Sequence, residues 1–160
     1  MKTIYLAGGC FWGMQKFFDQ FDFVQETRVG YANGYTMNPE YKDVKAQITG
    51  YAETLMVVYE DDLSSLLDFY FEVIDPTSVN KQGEDEGSSY RTGIYYIDDS
   101  DLPIINQKIA EIAKKYDKPI VVEVEPLKNF YDAEEYHQKY LEKNPGGYCH
   151  IPSSLFTKYK

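Results

Sequence analysis

Two cysteines, two histidines and one tryptophan are all that 160 residues contain of these types, and each scarcity removes a class of function. Cys10 and Cys149 stand almost at opposite ends, with none of the short paired spacings that read as zinc or iron–sulfur ligation. The absence of a Cys-x-x-Cys disfavours a thioredoxin-like oxidoreductase. Basic residues are few as well: 16 Lys and Arg against 26 Asp and Glu give a formal net charge of −10. No stretch interleaves those cations with aromatics, so nucleic acid is not an expected partner. Long apolar runs are missing too. Nothing approaches the ~18 residues of a spanning helix, and Met1 to Leu6 is too brief for the apolar region of a signal peptide, so no membrane is expected and the cytoplasm is the expected compartment. A reducing compartment disfavours a standing disulfide, which leaves the cysteines as two buried thiols or as a working redox couple.

The chain does have 43% hydrophobic residues and 16 tyrosines, enough for one full core and a single domain over residues 1–160, expected to be a monomer. Periodicity predicts a strand over Thr3 to Ala7 and a helix over Phe11 to Gln20, with Phe17, Phe18 and Phe21 on one face. Strands follow over Phe23 to Tyr31 and Glu53 to Tyr59, separated by a glycine- and tyrosine-rich loop through Tyr41. Ser64 or Ser65 is the expected N-cap of a helix over Leu66 to Val73. Residues 77–89 read as a long polar loop and Arg91 to Ile97 as a strand. A helix over Asn106 to Tyr116, a strand over Ile120 to Val124 and a last helix over Asp132 to Glu142 complete the order. Residues 143–160 read as an irregular, mobile tail carrying Cys149. The expected fold is α+β: a two-layer sandwich of helices against a mixed sheet, ferredoxin-like, with long loops.

The sharpest candidate for chemistry is Cys10, in Ala7-Gly8-Gly9-Cys10-Phe11-Trp12-Gly13. A strand that ends in glycines and turns into a helix there puts the thiol at a helix N-terminus, where free amides and the macrodipole favour an anion. The competing reading is a buried apolar thiol at a strand end. Phe11 and Trp12 are either core or an apolar cup for a small methyl-bearing substrate. Glu53 opens an apolar strand, where desolvation raises a carboxyl pKa and makes a proton donor. Asp85 lies in a glycine-flanked loop just before Tyr90-Arg91. Composition cannot select Tyr41 and Tyr90 among sixteen tyrosines. His137 and His150 read as surface or packing residues rather than as a base or thiol activator.

Together, Gly9-Cys10-Phe11-Trp12-Gly13, Gly30-Tyr31-Ala32-Asn33-Gly34-Tyr35, Asn38-Pro39-Glu40-Tyr41, Thr49-Gly50-Tyr51-Ala52-Glu53, Asp75-Pro76-Thr77, Gln82-Gly83-Glu84-Asp85-Glu86-Gly87, Tyr90-Arg91, Ala133-Glu134-Glu135-Tyr136-His137-Gln138-Lys139-Tyr140-Leu141 and Gly147-Tyr148-Cys149 resemble the A-type peptide-methionine sulfoxide reductases over nearly the whole chain. The resemblance implies reduction of the S epimer of methionine sulfoxide, free or in proteins. It implies Cys10 as nucleophile, Glu53 as acid, Tyr41, Asp85 and Tyr90 around the sulfoxide oxygen, and Phe11 and Trp12 around the methyl group. Cys149 matches the resolving cysteine of many members, with thioredoxin or another dithiol as reductant and neither metal nor organic cofactor. Tyr51, Ile74 and Ser88-Ser89 depart from the family's pattern beside the site, at positions to which no chemistry is assigned. The alternatives are a module that binds oxidised methionine without turnover and another kind of thiol redox sensor.

Overall fold

In a computed structural model the chain is described over residues 1–36, 39–46, 49–60, 62–82, 85–147, 151 and 153–156. The glycine-ended apolar run becomes β1 (Lys2–Ala7), which lies inside a six-stranded sheet because Ile4, Leu6 and Ala7 are fully buried. Helix α1 (Phe11–Asp19) follows, then β2 (Val24–Ala32) and, after a loop, the short helix α2 (Tyr41–Lys45). Next come β3 (Ala52–Tyr59), α3 (Leu63–Val73), a two-residue-strand hairpin of β4 (Lys81–Gln82) and β5 (Asp85–Glu86), and β6 (Gly93–Tyr96). The rest is α4 (Leu102–Ala113), β7 (Glu123–Pro126), β8 (Phe130–Asp132) and α5 (Tyr140–Lys143).

The sheet runs β7-β6-β1-β3-β2-β8. Strand β3 is antiparallel to both β1 and β2, and β1 is antiparallel to β6, so β1-α1-β2-β3-α3-β6 is the split βαβ arrangement expected from the sequence. The sheet is mixed because β6 and β7 pair in parallel, joined by the crossover helix α4. Phe17 and Phe18 of α1, and Leu66, Leu67 and Tyr70 of α3, enter one apolar core with Ile4, Leu6, Leu55 and Val57 of the sheet. The Tyr70 hydroxyl donates to the carbonyls of Ala7 (2.5 Å) and Gly93 (3.2 Å), fastening α3 to the strand end that leads into Cys10. Among the described residues no helix is long and apolar enough to cross a membrane.

Several local expectations need correction. Helix α3 starts at Leu63, capped by Asp62 rather than by Ser64 or Ser65: Asp62 accepts from the Ser64 amide (3.1 Å) and the Ser65 hydroxyl (3.1 Å). Helix α4 begins at Leu102, four residues before the expected Asn106, since Pro103 suits a first helical turn. The polar loop 77–89 contains the β4–β5 hairpin, and the loop through Tyr41 contains α2. The last helix is the largest departure. Residues 130–132 join the sheet edge as β8, paired with Gly30 to Ala32, and only a 3₁₀ turn (Glu135–His137) and α5 are helical. Gln138 explains the break: its side chain accepts from the Val29 amide (2.9 Å) and donates to the carbonyls of Val29 (2.8 Å) and Ala133 (3.1 Å), a tertiary contact that a continuous helix would forfeit. Of the expected tail, Cys149 lies outside the described residues, whereas Ile151 is buried and the Leu155 carbonyl accepts from Gln20 (3.2 Å).

Candidate active site

Cys10 sits at the end of β1 and is the N-cap residue of α1. The turn that delivers it needs Gly9 at φ 78°, the left-handed region in which a side chain is strained, and the Gly9 amide donates to the Tyr90 carbonyl (3.2 Å). Cys10 is only 6% exposed, so the two readings of its sequence position hold together: the thiol is at a helix N-terminus and also buried. The positive end of α1 favours its ionised form there.

Glu53 reaches the same helix end from β3. Its Oε1 accepts from the Phe11 amide (3.3 Å), the first amide after Cys10, which fixes the carboxyl beside the thiol's residue. Glu53 is 1% exposed, and Oε2 has no well-aligned hydrogen-bond partner among the described residues, although the Tyr90 hydroxyl lies near enough to stabilise its charge slightly. Burial therefore dominates, with Asp85 adding to the rise and the Phe11 amide and Lys45 opposing it, and together they put its pKa up to about 8. At neutral pH this carboxyl is mostly protonated.

The structure brings Tyr41, Asp85 and Tyr90 to that acid. Burial pushes the Tyr41 pKa up to about 12, with Glu53 and Cys10 adding to the rise. Tyr90 is raised above the ordinary tyrosine value by burial first, then by Glu53, Tyr41, Asp85 and Cys10. Both phenols are consequently neutral donors, and they reach the site from different elements. Tyr41 is the first residue of α2; its amide donates to Glu134 Oε2 (3.0 Å), whose Oε1 accepts from the Tyr31 hydroxyl (2.8 Å) on β2. Tyr90 ends a 3₁₀ turn behind Gly87, which has φ 134°. Arg91 clamps that turn by donating to the carbonyls of Ser88 (2.8 Å) and Gly50 (3.0 Å) and to Glu123 Oε1 (2.6 Å). Asp85 is carried by the hairpin, whose Gln82 side chain bonds both the amide (2.8 Å) and the carbonyl (2.9 Å) of Asp75.

The two aromatics after the thiol separate. Phe11, 1% exposed, packs on Tyr31 and His137 and is core, not an open wall. Trp12 is half-buried, stacked on Tyr140 at 3.8 Å between ring centroids. Of the surface and packing readings of His137 the second holds: it is buried, in contact with both. Cys149 and His150 lie outside the described residues. Arg91, Glu134, Gln82 and His137 hold the site together without having been assigned that work from sequence. Each stands inside one of the quoted strings, but a string does not say which backbone atom a side chain will bond.

The chain matches the family model described as "Peptide methionine sulfoxide reductase" over residues 2–160. It is 60% identical to "Peptide methionine sulfoxide reductase MsrA" of Lachnoclostridium phytofermentans, over 99% of this chain and 98% of that protein. Among solved structures it resembles Mxr1 from Saccharomyces cerevisiae in reduced form, with a TM-score of 0.90 and 41% identity over 94% of this chain and 91% of that one. It also resembles Mxr1 in complex with Trx2, with a TM-score of 0.62 and 34% identity over 87% and 84%.

Proposed function

We propose that this chain, which belongs to the peptide methionine sulfoxide reductase family, reduces the S epimer of methionine sulfoxide, free or in proteins, by attack of the Cys10 thiolate on the sulfoxide sulfur. The observation that carries this reading is the protonated, buried Glu53 anchored to the Phe11 amide beside Cys10. A sulfoxide sulfur accepts a nucleophile only as its oxygen is protonated, so the reaction needs one thiolate and one neutral acid at close range. Thiolate with neutral carboxyl is the productive state, since an ionised Glu53 at close range would oppose the thiolate. Tyr41 and Tyr90 donate hydrogen bonds to the sulfoxide oxygen without adding a charge that would ionise Glu53, and Asp85 orders the network. Trp12 faces the substrate methyl, with Phe11 supporting it from the core. A pyramidal sulfur held by methyl on one side and oxygen on the other fits in one hand only.

In the net step the oxygen passes to Cys10 as a sulfenic acid, methionine leaves, and the cysteine sulfur loses the two electrons that the methionine sulfur gains. Condensation with the Cys149 thiol then forms a disulfide and releases water, and a dithiol reductant restores both thiols. The Mxr1–Trx2 complex supports a thioredoxin in that role. Neither metal nor organic cofactor is required, and the same reading takes the protein to be a cytoplasmic monomer.

The test is incubation with a peptide carrying racemic methionine sulfoxide and dithiothreitol, followed by chiral chromatography. One epimer is expected to disappear; binding without consumption would make the protein a recognition module, and indifference to both epimers a thiol sensor. For Cys149→Ser, we expect release of about one methionine per enzyme without reductant and loss of most thioredoxin-driven turnover. Full thioredoxin-driven activity in that variant would remove Cys149 from the cycle.

A further inference from the structure

The chemistry above uses Lys45 only as a charge felt at Glu53. This lysine is the last residue of α2 and falls between two of the sequence strings that carry the family resemblance. Its helix is anchored from below: Val44 is buried in the core, and the Tyr41 amide donates to Glu134 (3.0 Å). Residues four apart share a helix face, and Lys45 Nζ stands over the Tyr41 ring, 5.9 Å from its centroid. The ammonium is thus carried beside the phenol assigned to the sulfoxide oxygen. The other lysine of α2, Lys42, is drawn to Glu40 instead (3.5 Å). Glu53 is closed off from solvent whereas Lys45 is exposed, so the lysine belongs to the mouth of the site and the acid to its floor.

We propose that Lys45 is a specificity-determining residue of the oxidised-methionine site: its ammonium receives a carboxylate of the substrate, either the α-carboxylate of free methionine sulfoxide or the side chain of an acidic residue next to the oxidised methionine in a protein. This rests on the reductase reading for what Tyr41 binds. In the free amino acid the carboxyl carbon is four bonds from the sulfur, so a sulfoxide oxygen held at Tyr41 leaves the carboxylate near the mouth, on the side where Lys45 stands. The surroundings make a cation there consequential. Asp85 and Glu134, which also approach the site, are acids, and the whole chain carries a formal charge of −10, a field that repels a carboxylate unless a positive group meets it. The contact is exposed and equally present in ground and transition states, so it acts on KM, and its size is the few-fold of a hydrated ion pair.

The test compares N-acetylmethionine S-sulfoxide with its carboxamide, which differ only in the carboxylate. The quantity read is the ratio of their kcat/KM values, in which any effect of Lys45 exerted through Glu53 cancels because it is common to both. In Lys45→Met we expect the ratio to fall about three- to five-fold through KM, and in Lys45→Glu about ten-fold or more. Lys45→Arg, which restores the charge, should keep most of the ratio. In the unaltered protein the ratio should decline as salt is raised through physiological ionic strength, and in Lys45→Met it should not. Capped tripeptides with aspartate or asparagine after the oxidised methionine repeat the comparison for a side-chain carboxylate, so the two pairs separate the two sources. A ratio unmoved by Lys45→Met in both pairs, or an arginine variant that loses as much as the methionine one, overturns the proposal. Equilibrium binding of the same pairs to Cys10→Ser proteins with and without Lys45→Met gives the ratio without turnover. An unaltered protein that reduces neither compound would therefore count against the reductase reading, and a binding ratio indifferent to Lys45 against this one.

Discussion

Cys10→Ser is expected to abolish methionine sulfoxide reduction, with a loss of at least ~10⁴-fold under any reductant. The reason is in the electron balance. Cys10 must take up the substrate's oxygen and give up two electrons, ending as a sulfenic acid. A serine oxygen in the same place would have to end as a peroxide, which is no sink for the oxygen of a sulfoxide. Serine is also an alcohol whose ionisation at pH 7 is negligible, so even the positive end of α1 leaves it without a populated anion. Since Cys10 is 6% exposed and shares the core with Phe11 and Met14, the substitution also places a polar hydroxyl in that environment. Thermal unfolding of the variant separates that effect from chemistry. The checks are methionine release and, in a Cys149→Ser protein that keeps Cys10, a mass gain of one oxygen on Cys10. Turnover in a folded Cys10→Ser protein would remove the nucleophile from the mechanism.

Glu53→Gln should reduce kcat by about 10²–10⁴-fold, the range for removal of a positioned general acid. Gln keeps an oxygen for the Phe11 amide, so the helix end stays capped, and only the transferable proton is lost. The pH profile identifies the group. With a Glu53 pKa pushed up to about 8, the unaltered enzyme's rate should fall above pH 8, and that limb should be absent from the variant. Stability should change in the opposite direction. The folded pKa lies above the unfolded one, so the folded state binds the proton more tightly. Its stability contribution is complete below about pH 4.5 and is lost as pH rises towards 8. Glutamine has no such slope. The variant's unfolding free energy should therefore gain on that of the unaltered protein across this window, by a few kcal/mol at its upper end at ~1.4 kcal/mol per unit, as read by chemical denaturation at each pH. An unchanged alkaline limb in the variant would mean that another group donates the proton.

The same residue shows how far sequence can carry an electrostatic argument. That Glu53 opens an apolar strand is visible in Ala52-Glu53-Thr54-Leu55, and it suffices to expect desolvation. What sets the pKa is tertiary: the core that buries the carboxyl, the Phe11 amide that bonds it, the hairpin bringing Asp85 close, and α2 supplying Lys45. Tyr41 and Tyr90 are a harder case. Nothing local separates them from the other tyrosines, and they are singled out by resemblance and then by their placement next to Glu53 and Cys10. Phe11 and Trp12 run the other way. Adjacent in sequence, they read alike, yet neighbouring positions on a helix point in different directions, so Phe11 turns into the core and Trp12 toward Tyr140.

By itself, then, the sequence determined what short-range physics encodes. Apolar alternation marked β1, β2 and β3, three- and four-residue spacing marked α1 and most of α3, and paired glycines put Cys10 at a helix start. The order of these elements carried the split βαβ arrangement. Only the tertiary structure decided the segment from Phe130 to Lys143, where Gln138 bonds the Val29 backbone across the fold and a helical periodicity yields to an edge strand and short turns. It also decided between the surface and packing readings of His137, which is a buried acceptor for Trp12, 125 residues away. Burial and hydrogen-bond partnership depend on which distant backbone arrives alongside, and that is a property of the assembled core. Cys10 is reactive-looking from its neighbours in sequence; Glu53, Tyr41 and Tyr90, which surround it, come from elsewhere in the chain.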